Sequence, residues 1–307
     1  MMLEKNSSAN IRPVAKPTPV PSGLRETVKA RFPGLWRKLK YLKSLIKRFP
    51  IRFLQKRLIG KGIPIYLGEN DQDKWIIEDV YDHKRNGFFL ELGAYDGFGI
   101  SNTYILEKKY GWSGICIESD PINFAKLVKQ RNCICVQACV DGAQRDVSYL
   151  YDGAVGGIID DDTDITPEKS NPRIERAIKE GRLANLQTKT LYQILKEHGV
   201  PMVIDFFSFD VEGAETRILR EFPFDEYIFR ALIIERASEE LNEILFRNGY
   251  KFVQLRVGDS FYFHKSIPNF DSIPKEPFRQ VLPKPAPLEI NYRKKQMTLR
   301  LALMAIF

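Results

Sequence analysis

From about residue 63 onward, short apolar runs alternate with segments of helical period. Residues 88–92, 114–118, 133–140, 203–210 and 231–235 are dense in Ile, Val, Phe, Leu and Cys. Runs of that length and content predict buried strands. Between them, residues 74–81, a segment running to Lys109, and residues 124–130, 190–198, 215–221 and 239–247 have helical spacing, the last stopped by Asn248-Gly249. Residues 250–256 and 260–265, separated by Val257-Gly258-Asp259, predict a closing hairpin. Alternation of this kind implies a mostly parallel α/β sheet covered on both faces, with the hairpin as an antiparallel edge. Residues 141–186, rich in Asp and Gly, are expected to be a long irregular segment, and Gly153, Gly156 and Gly157 mark a loop suited to cover a cleft.

Ahead of this body the pattern differs. Pro13, Pro17, Pro19 and Pro21 predict a disordered or extended tail over residues 1–23. Leu35, Leu39, Leu42, Ile46 and Phe49 recur at three- and four-residue spacing among lysines and arginines, a basic amphipathic helix that Pro50 ends. Residues 51–61 continue basic and apolar without a clean period. The expected organisation is tail 1–23, basic arm 24–61, body 62–270 and extension 271–307, whose final nine residues are apolar apart from Arg300.

Charge sharpens that division. The 307-residue chain carries a formal net charge of +8, yet residues 1–61 hold 16 Lys and Arg against 2 Asp and Glu, and the remainder holds 31 against 37. A mildly acidic body argues against a nucleic-acid partner, and the segregated arm suits an anionic membrane surface through residues 34–61. No apolar run approaches a bilayer span, and no secretory leader is evident. Four cysteines in strand-like stretches give no disulfide scaffold and point to a cytoplasmic, reducing setting; Cys133-x-Cys135 lacks the second pair of a zinc site.

Two segments carry candidate chemistry. In 88–97, an apolar strand runs into a turn with Gly93 and Gly97, where a backbone can approach a ligand at the carboxyl end of a parallel strand. The spacing is not that of a dinucleotide fingerprint, which disfavours a dehydrogenase. The next strand ends in Glu118, and a carboxylate there can accept from both hydroxyls of a ribose. The second segment, Asp210-x-Glu212-Gly213-x-Glu215, gathers three carboxylates where a strand meets a helix. Helix N-termini favour negative charge, which accounts for Glu212 and Glu215 structurally. Alternatively one carboxylate takes a proton from a substrate hydroxyl, or two hold a divalent metal. No further ligand set is evident, which favours the metal-free form. The Asp160–Asp162 run with Asp164 reads as a solvated loop, and His83, His198 and His264 have no assigned role.

The runs Glu91-Leu92-Gly93-Ala94-Tyr95-Asp96-Gly97, Ser101-Asn102-Thr103, Trp112-Ser113-Gly114, Ile117-Glu118 and 204–215 resemble the FkbM-type family of S-adenosylmethionine-dependent methyltransferases, over roughly residues 70–265. The resemblance implies the Rossmann-like class I methyltransferase fold, seven strands with a terminal antiparallel hairpin and helices on both faces. It implies that Glu91, Gly93, Ala94 and Gly97 border the methionine part of S-adenosylmethionine and that Glu118 holds its ribose. Val140 and Asp141 lie near adenine, Asp210 beside the transferable methyl, and Ser101 and Asn102 orient cofactor or substrate. It implies O-methylation of a sugar hydroxyl on a glycan or glycolipid, or of a secondary metabolite, with Asp210 and Glu212 catalytic. A nucleic-acid methyltransferase using the basic arm and a non-catalytic binding protein are the rival readings.

Overall fold

The computed structural model describes residues 51–63, 65–167, 171–268, 270–272 and 277–278. The expected tail, the 34–49 helix and the apolar C-terminal stretch lie outside the described residues.

A seven-stranded sheet organises the body. Its strands are β1 (Phe88–Leu92), β2 (Ser113–Glu118), β3 (Ile134–Gln137), β8 (Val203–Phe209), β9 (Ile228–Glu235), β10 (Tyr250–Arg256) and β11 (Asp259–His264). They lie in the order β10-β11-β9-β8-β1-β2-β3. The five from β3 to β9 are mutually parallel, and β11 runs antiparallel to both β9 and β10. This is the seven-stranded class I methyltransferase arrangement that the sequence predicted. The chain order reverses direction between β1 and β8, so the crevice at their carboxyl ends is where such a sheet binds ligands.

Side-chain alternation along each strand divides the core into two layers. Leu90, Leu92, Ile115, Ile117, Phe207 and Leu232 pack under α6 (Leu191–Glu197), α7 (Glu215–Arg220) and α8 (Glu239–Arg247). Phe89, Cys116, Ile233 and Phe261 pack under α1 (Ile51–Gly60), α3 (Tyr104–Tyr110) and α4 (Pro121–Gln130). α2 (Gln72–Lys74) continues into a π-helical turn, Trp75–Val80, whose Trp75 stacks on Phe263 at 5.1 Å between ring centres.

Three expectations need correction. Residues 51–60 are a helix with Gln55, Leu58 and Ile59 buried, so the compact unit begins at Arg52 and not near residue 62. The buried Gln55 is what broke the apolar period. The single strand expected over 133–140 is two: β3 stays in the main sheet, and β4 (Cys139–Val140) leaves it after Ala138. The stretch 141–186 is not irregular. It holds β5 (Asp146–Leu150), β6 (Gly157–Ile158), α5 (Pro172–Lys179) and the start of β7 (Leu183–Lys189), forming with β4 a second sheet in the order β4-β7-β5-β6. β4 and β6 have only two residues each, and the longer β7 carries Asn, Gln, Thr and Lys, so the apolar signal is weak. Cross-strand pairing of β5 with β7 over five residue pairs supplies what the sequence pattern lacks.

Candidate functional site

A cleft open to solvent lies where the carboxyl ends of β1, β2 and β8 face the second sheet. Leu92, Gly93 and Asp210 line its base, Glu118, Ser119 and Val140 one side, and Tyr149, Gly156, Gly157 and Glu212 the other.

The base is fixed by the crossing of two strand ends. Gly93 N and Ala94 N donate to Ile117 O at 3.1 and 3.0 Å, and Asp210 N donates to Leu92 O at 3.1 Å. Gly93 has φ +84°, and a Cβ there would fall 1.8 Å from Asp210 O. Only glycine lets β1 end against β8 in this way, and the bare backbone it leaves is open to the cleft. Gly97 has a different task. A Cβ on it would meet Leu127 Cδ1 at 2.6 Å, so it seats the turn on α4 and does not line the cleft.

Glu118 is the built feature of this half. It is buried, with Tyr95 N donating to Oε2 at 2.7 Å and Asp120 N to Oε1 at 2.8 Å. Each oxygen keeps a lone pair for a further donor, the arrangement a vicinal diol needs. Burial pushes its carboxyl up to about 7, against the pull of the two backbone donors. Donors arriving from a ligand would return the charge.

Glu91 stands behind the cleft. It shares a face of the sheet with Phe89 and Cys116, beneath α3 and α4. Ser101 Oγ donates at 3.0 Å, Asn102 N at 2.8 Å, Thr103 Oγ1 at 2.7 Å and Arg131 Nη1 at 3.1 Å. Arg131, whose side chain is wholly buried, also binds Glu107 through Nε at 2.6 Å. A charge at this depth survives only when paired and hydrogen-bonded, and this cage supplies both. Ser101 is used up in it, while Asn102 ties the loop to β8 through Nδ2–H to Ser208 Oγ at 2.9 Å. Ala94 is buried in the turn. Asp141 joins Arg145 and Arg217, which also hold Asp160, while Arg217 pairs with Asp162 as well. The Asp160–Asp162 run is thus an arginine-neutralised wall. Of the predicted site residues, Gly93, Glu118, Val140, Asp210 and Glu212 therefore line the cleft; Glu91, Ala94, Gly97, Ser101, Asn102 and Asp141 brace it from behind.

The other half is a crowd of carboxylates. Asp210 ends β8 open to the cleft, though enclosed by protein on its other sides, and burial raises its carboxyl above the usual range. Glu212, at φ +58°, is pushed up to about 8 by burial and then by Asp210. Glu235, the last residue of β9, is pushed to about 12 by burial, Asp210 and Glu212. Its Oε2 is buried without a hydrogen-bond partner, and Asp210 is among the charges that raise it. Asp164, Glu212 and Glu235 bring one oxygen each within 4.8 Å of one another. The sequence did not reveal this third and fourth carboxylate. Arg236 sits among them, paired with Asp164, with Glu212 at 3.4 Å and with Glu235 at 2.5 Å. Glu215 turns away: buried, it accepts from Val211 N at 2.9 Å and caps its own turn.

Sequence reasoning missed Tyr95, Ile100, Ser119 and Tyr149 in the lining, as well as Glu235 and Arg236. One signal was available for Glu235, since it ends a strand as Glu118 does. Positive φ at Tyr95, Ile100, Glu212 and Arg236 clusters backbone strain around the cleft, a mark of functional sites. The histidines are elsewhere: His83 Nδ1 meets Tyr110 Oη at 3.1 Å and His264 Nδ1 meets Ser266 Oγ at 2.8 Å.

Comparison with known proteins places this geometry. No match was found among curated proteins. Among solved structures, the chain is similar to a TehB-like S-adenosylmethionine-dependent methyltransferase from Corynebacterium glutamicum, at 10% identity and TM-score 0.35 over 73% of this chain and 100% of the other. It is similar to a methyltransferase from Pyrococcus furiosus at 16% identity and TM-score 0.33, over 63% and 81%. An RNA methyltransferase from Salinibacter ruber, in complex with S-adenosyl-L-homocysteine, matches at 13% identity and TM-score 0.31, over 69% and 95%. The family model of the methyltransferase FkbM domain matches residues 91–252, which run from the caged Glu91 on β1 to Phe252 on β10 and take in every strand end that lines the cleft. With more than half its length matched, this chain belongs to the FkbM family of S-adenosylmethionine-dependent methyltransferases.

Proposed function

We propose that the cleft binds S-adenosylmethionine and directs its methyl to a hydroxyl of a neutral, polyhydroxylated acceptor, a sugar unit of a glycan or glycolipid. The observation that carries the cofactor assignment is Glu118, a buried carboxylate with one backbone donor on each oxygen beside the bare backbone of Gly93. In this reading Glu118 accepts the ribose hydroxyls, Val140 and Tyr149 border the adenine, and Gly93 allows the methionine portion to approach. The bound cofactor supplies a sulfonium methyl already activated for in-line attack.

The chain's own residues align the acceptor and take its proton. Glu235 keeps a proton at neutral pH and donates it to Asp210, which leaves Asp210 a carboxylate with its free oxygen toward the cleft. Asp210 is then the base, a role worth ~10²–10⁴-fold. Arg236 occupies the space among Asp164, Glu212 and Glu235, which supports proton transfer over an ion in that position. Carboxylates on this side repel a phosphate backbone and accept from hydroxyls, which favours a polyol over nucleic acid. The basic residues 34–50 complete the reading as a contact to an anionic membrane surface that carries a lipid-linked acceptor. In α1, Leu58 and Ile59 are buried, so that contact falls to the residues before it.

Calorimetric titration of S-adenosylmethionine and S-adenosylhomocysteine into the wild type and Glu118→Ala tests the cofactor assignment. Micromolar binding that the substitution abolishes supports it; a folded protein that binds neither ligand ends it. Liposomes of anionic lipid at low salt test the membrane contact, which fails if they do not sediment the protein.

A further inference from the structure

Three of the four cysteines meet behind the cleft, beside the Glu91 cage, and the transfer reaction uses none of them. Cys116 on β2 is fully buried. Cys135 on β3 is its register partner. Cys133, just before β3, is half-buried, and its Sγ lies 3.6 Å from Cys116 Sγ. Cys135 Sγ lies 3.5 Å from the Cys133 carbonyl, and Cys116 Sγ lies 3.6 Å from Glu91 Oε2. All are free thiols. Two residues before Cys133, the wholly buried Arg131 holds the positive charge of this pocket.

We propose that Cys133 and Cys116 are a peroxide-reactive dithiol, with Cys133 the attacking thiol and Cys116 the resolving one. Geometry gives the order. Only Cys133 of the pair reaches solvent, and Cys116 is in contact with it. A disulfide needs the sulfurs to close from 3.6 Å to about 2.05 Å, Cys116 standing within β2 and Cys133 just before the neighbouring β3. The electrostatics agree. The neighbouring Cys116 and Cys135 thiols and the positive charge of Arg131 hold the Cys133 thiol below its ordinary range, while burial and Glu107 oppose them. Burial pushes the Cys116 thiol well up, so it stays protonated until it reacts. Low-lying thiolates with an adjacent resolving thiol are the ones peroxide selects.

The oxidant is hydrogen peroxide. The Cys133 thiolate attacks one peroxide oxygen; an S–O bond forms, the O–O bond breaks, and hydroxide leaves to become water on taking a proton. Cys116 then gives up its proton, its sulfur bonds to Cys133, and the sulfenic oxygen departs as a second water. Two thiols are oxidised by two electrons in all, and one peroxide is reduced to two waters. Closing the bond draws Cys116 from Glu91 and so acts on the cage that braces the cleft.

The test uses the full-length protein treated with stoichiometric hydrogen peroxide, followed by intact mass and non-reducing peptide mapping. The expected result is the loss of two hydrogens, one peptide pair joined through Cys116 and Cys133, and reversal by dithiothreitol. Cys133→Ser should abolish the mass change. Cys116→Ser should stop at a sulfenic acid on Cys133 that dimedone captures. A crosslink between Cys133 and Cys135, a stable dimedone adduct on the wild type, or a folded wild type that peroxide leaves unchanged overturns the proposal, and the wild-type map decides this even if a variant misfolds.

Discussion

The two halves of the cleft handle the same problem, buried carboxylates, in opposite ways. On the β1–β2 side each acid is held by directed donors. Glu91 accepts from Ser101, Asn102, Thr103 and Arg131, and Glu118 from two backbone amides. On the β8–β9 side Glu212, Glu235 and Asp164 share Arg236 close to Asp210, and the backbone at Glu212 and Arg236 is strained. An acid held by directed donors is a fixture; one crowded by other acids can exchange protons with them. In the proposed reading one half holds the cofactor and the other takes the acceptor's proton.

The sharpest way to break this comparison is at Asp210. Asp210→Asn should lower methyl transfer by ~10²–10⁴-fold while S-adenosylhomocysteine affinity changes by less than about tenfold. Equal losses in both would make Asp210 a binding residue and erase the division. On the other side, Arg131→Ala leaves Glu91 buried without its cation, while Glu107 keeps Lys108, and should cost about 3–5 kcal/mol in denaturant unfolding. A loss near 1 kcal/mol would mean that the Arg131 ion pair is not what holds the cage together.

Glu118→Gln keeps the shape and removes the charge. About 1.5–3 kcal/mol of affinity should go with it, roughly ten- to a hundredfold. The pH dependence follows with its sign. The Glu118 carboxyl sits at about 7 in the free protein, and hydroxyl donors favour its charged form, so binding expels a proton below that pH. Affinity for S-adenosylhomocysteine should rise with pH, by up to about tenfold per unit, and level off above 7. A profile flat from pH 5.5 to 8 would show that Glu118 is already charged.

The smallest effect is on stability. Burial raises Glu118, Glu212, Glu215 and Asp259 to about 7, 8, 7 and 7. For a raised carboxyl, the stabilising contribution is complete below the unfolded value, near pH 4.5, and is lost as pH rises through the folded value. The melting temperature should therefore fall as pH rises from 5.5 to 8.5, the range over which these acids lose their protons. A rise over that range would place these acids in better-solvated surroundings than the structure gives them.

Asp210 and Glu118 were legible because strand ends announce themselves. An apolar run of fixed length stops, and the next polar residue stands at the carboxyl edge of the sheet. Gly93 was legible for the same reason. Glu91 was legible as a motif residue, but its direction was not: one step along a strand changes the face, and only packing against α4 shows that Arg131 meets it. Asp164, Glu235 and Arg236 were hidden because they come from segments far apart in the chain. Tyr149 was hidden because β5 pairs with a strand too polar to be recognised alone.

By itself, then, the sequence determined the α/β alternation, the closing hairpin, the glycine turn and the acids at the ends of β2 and β8, since these depend on local period and on what a strand end exposes. The tertiary structure alone decided the second sheet, the saturation of Glu91, the crowding of carboxylates beside Asp210 and the meeting of Cys116 with Cys133. Each of those is a contact between distant segments, and its energy depends on burial and distance, quantities that exist only once the chain has folded.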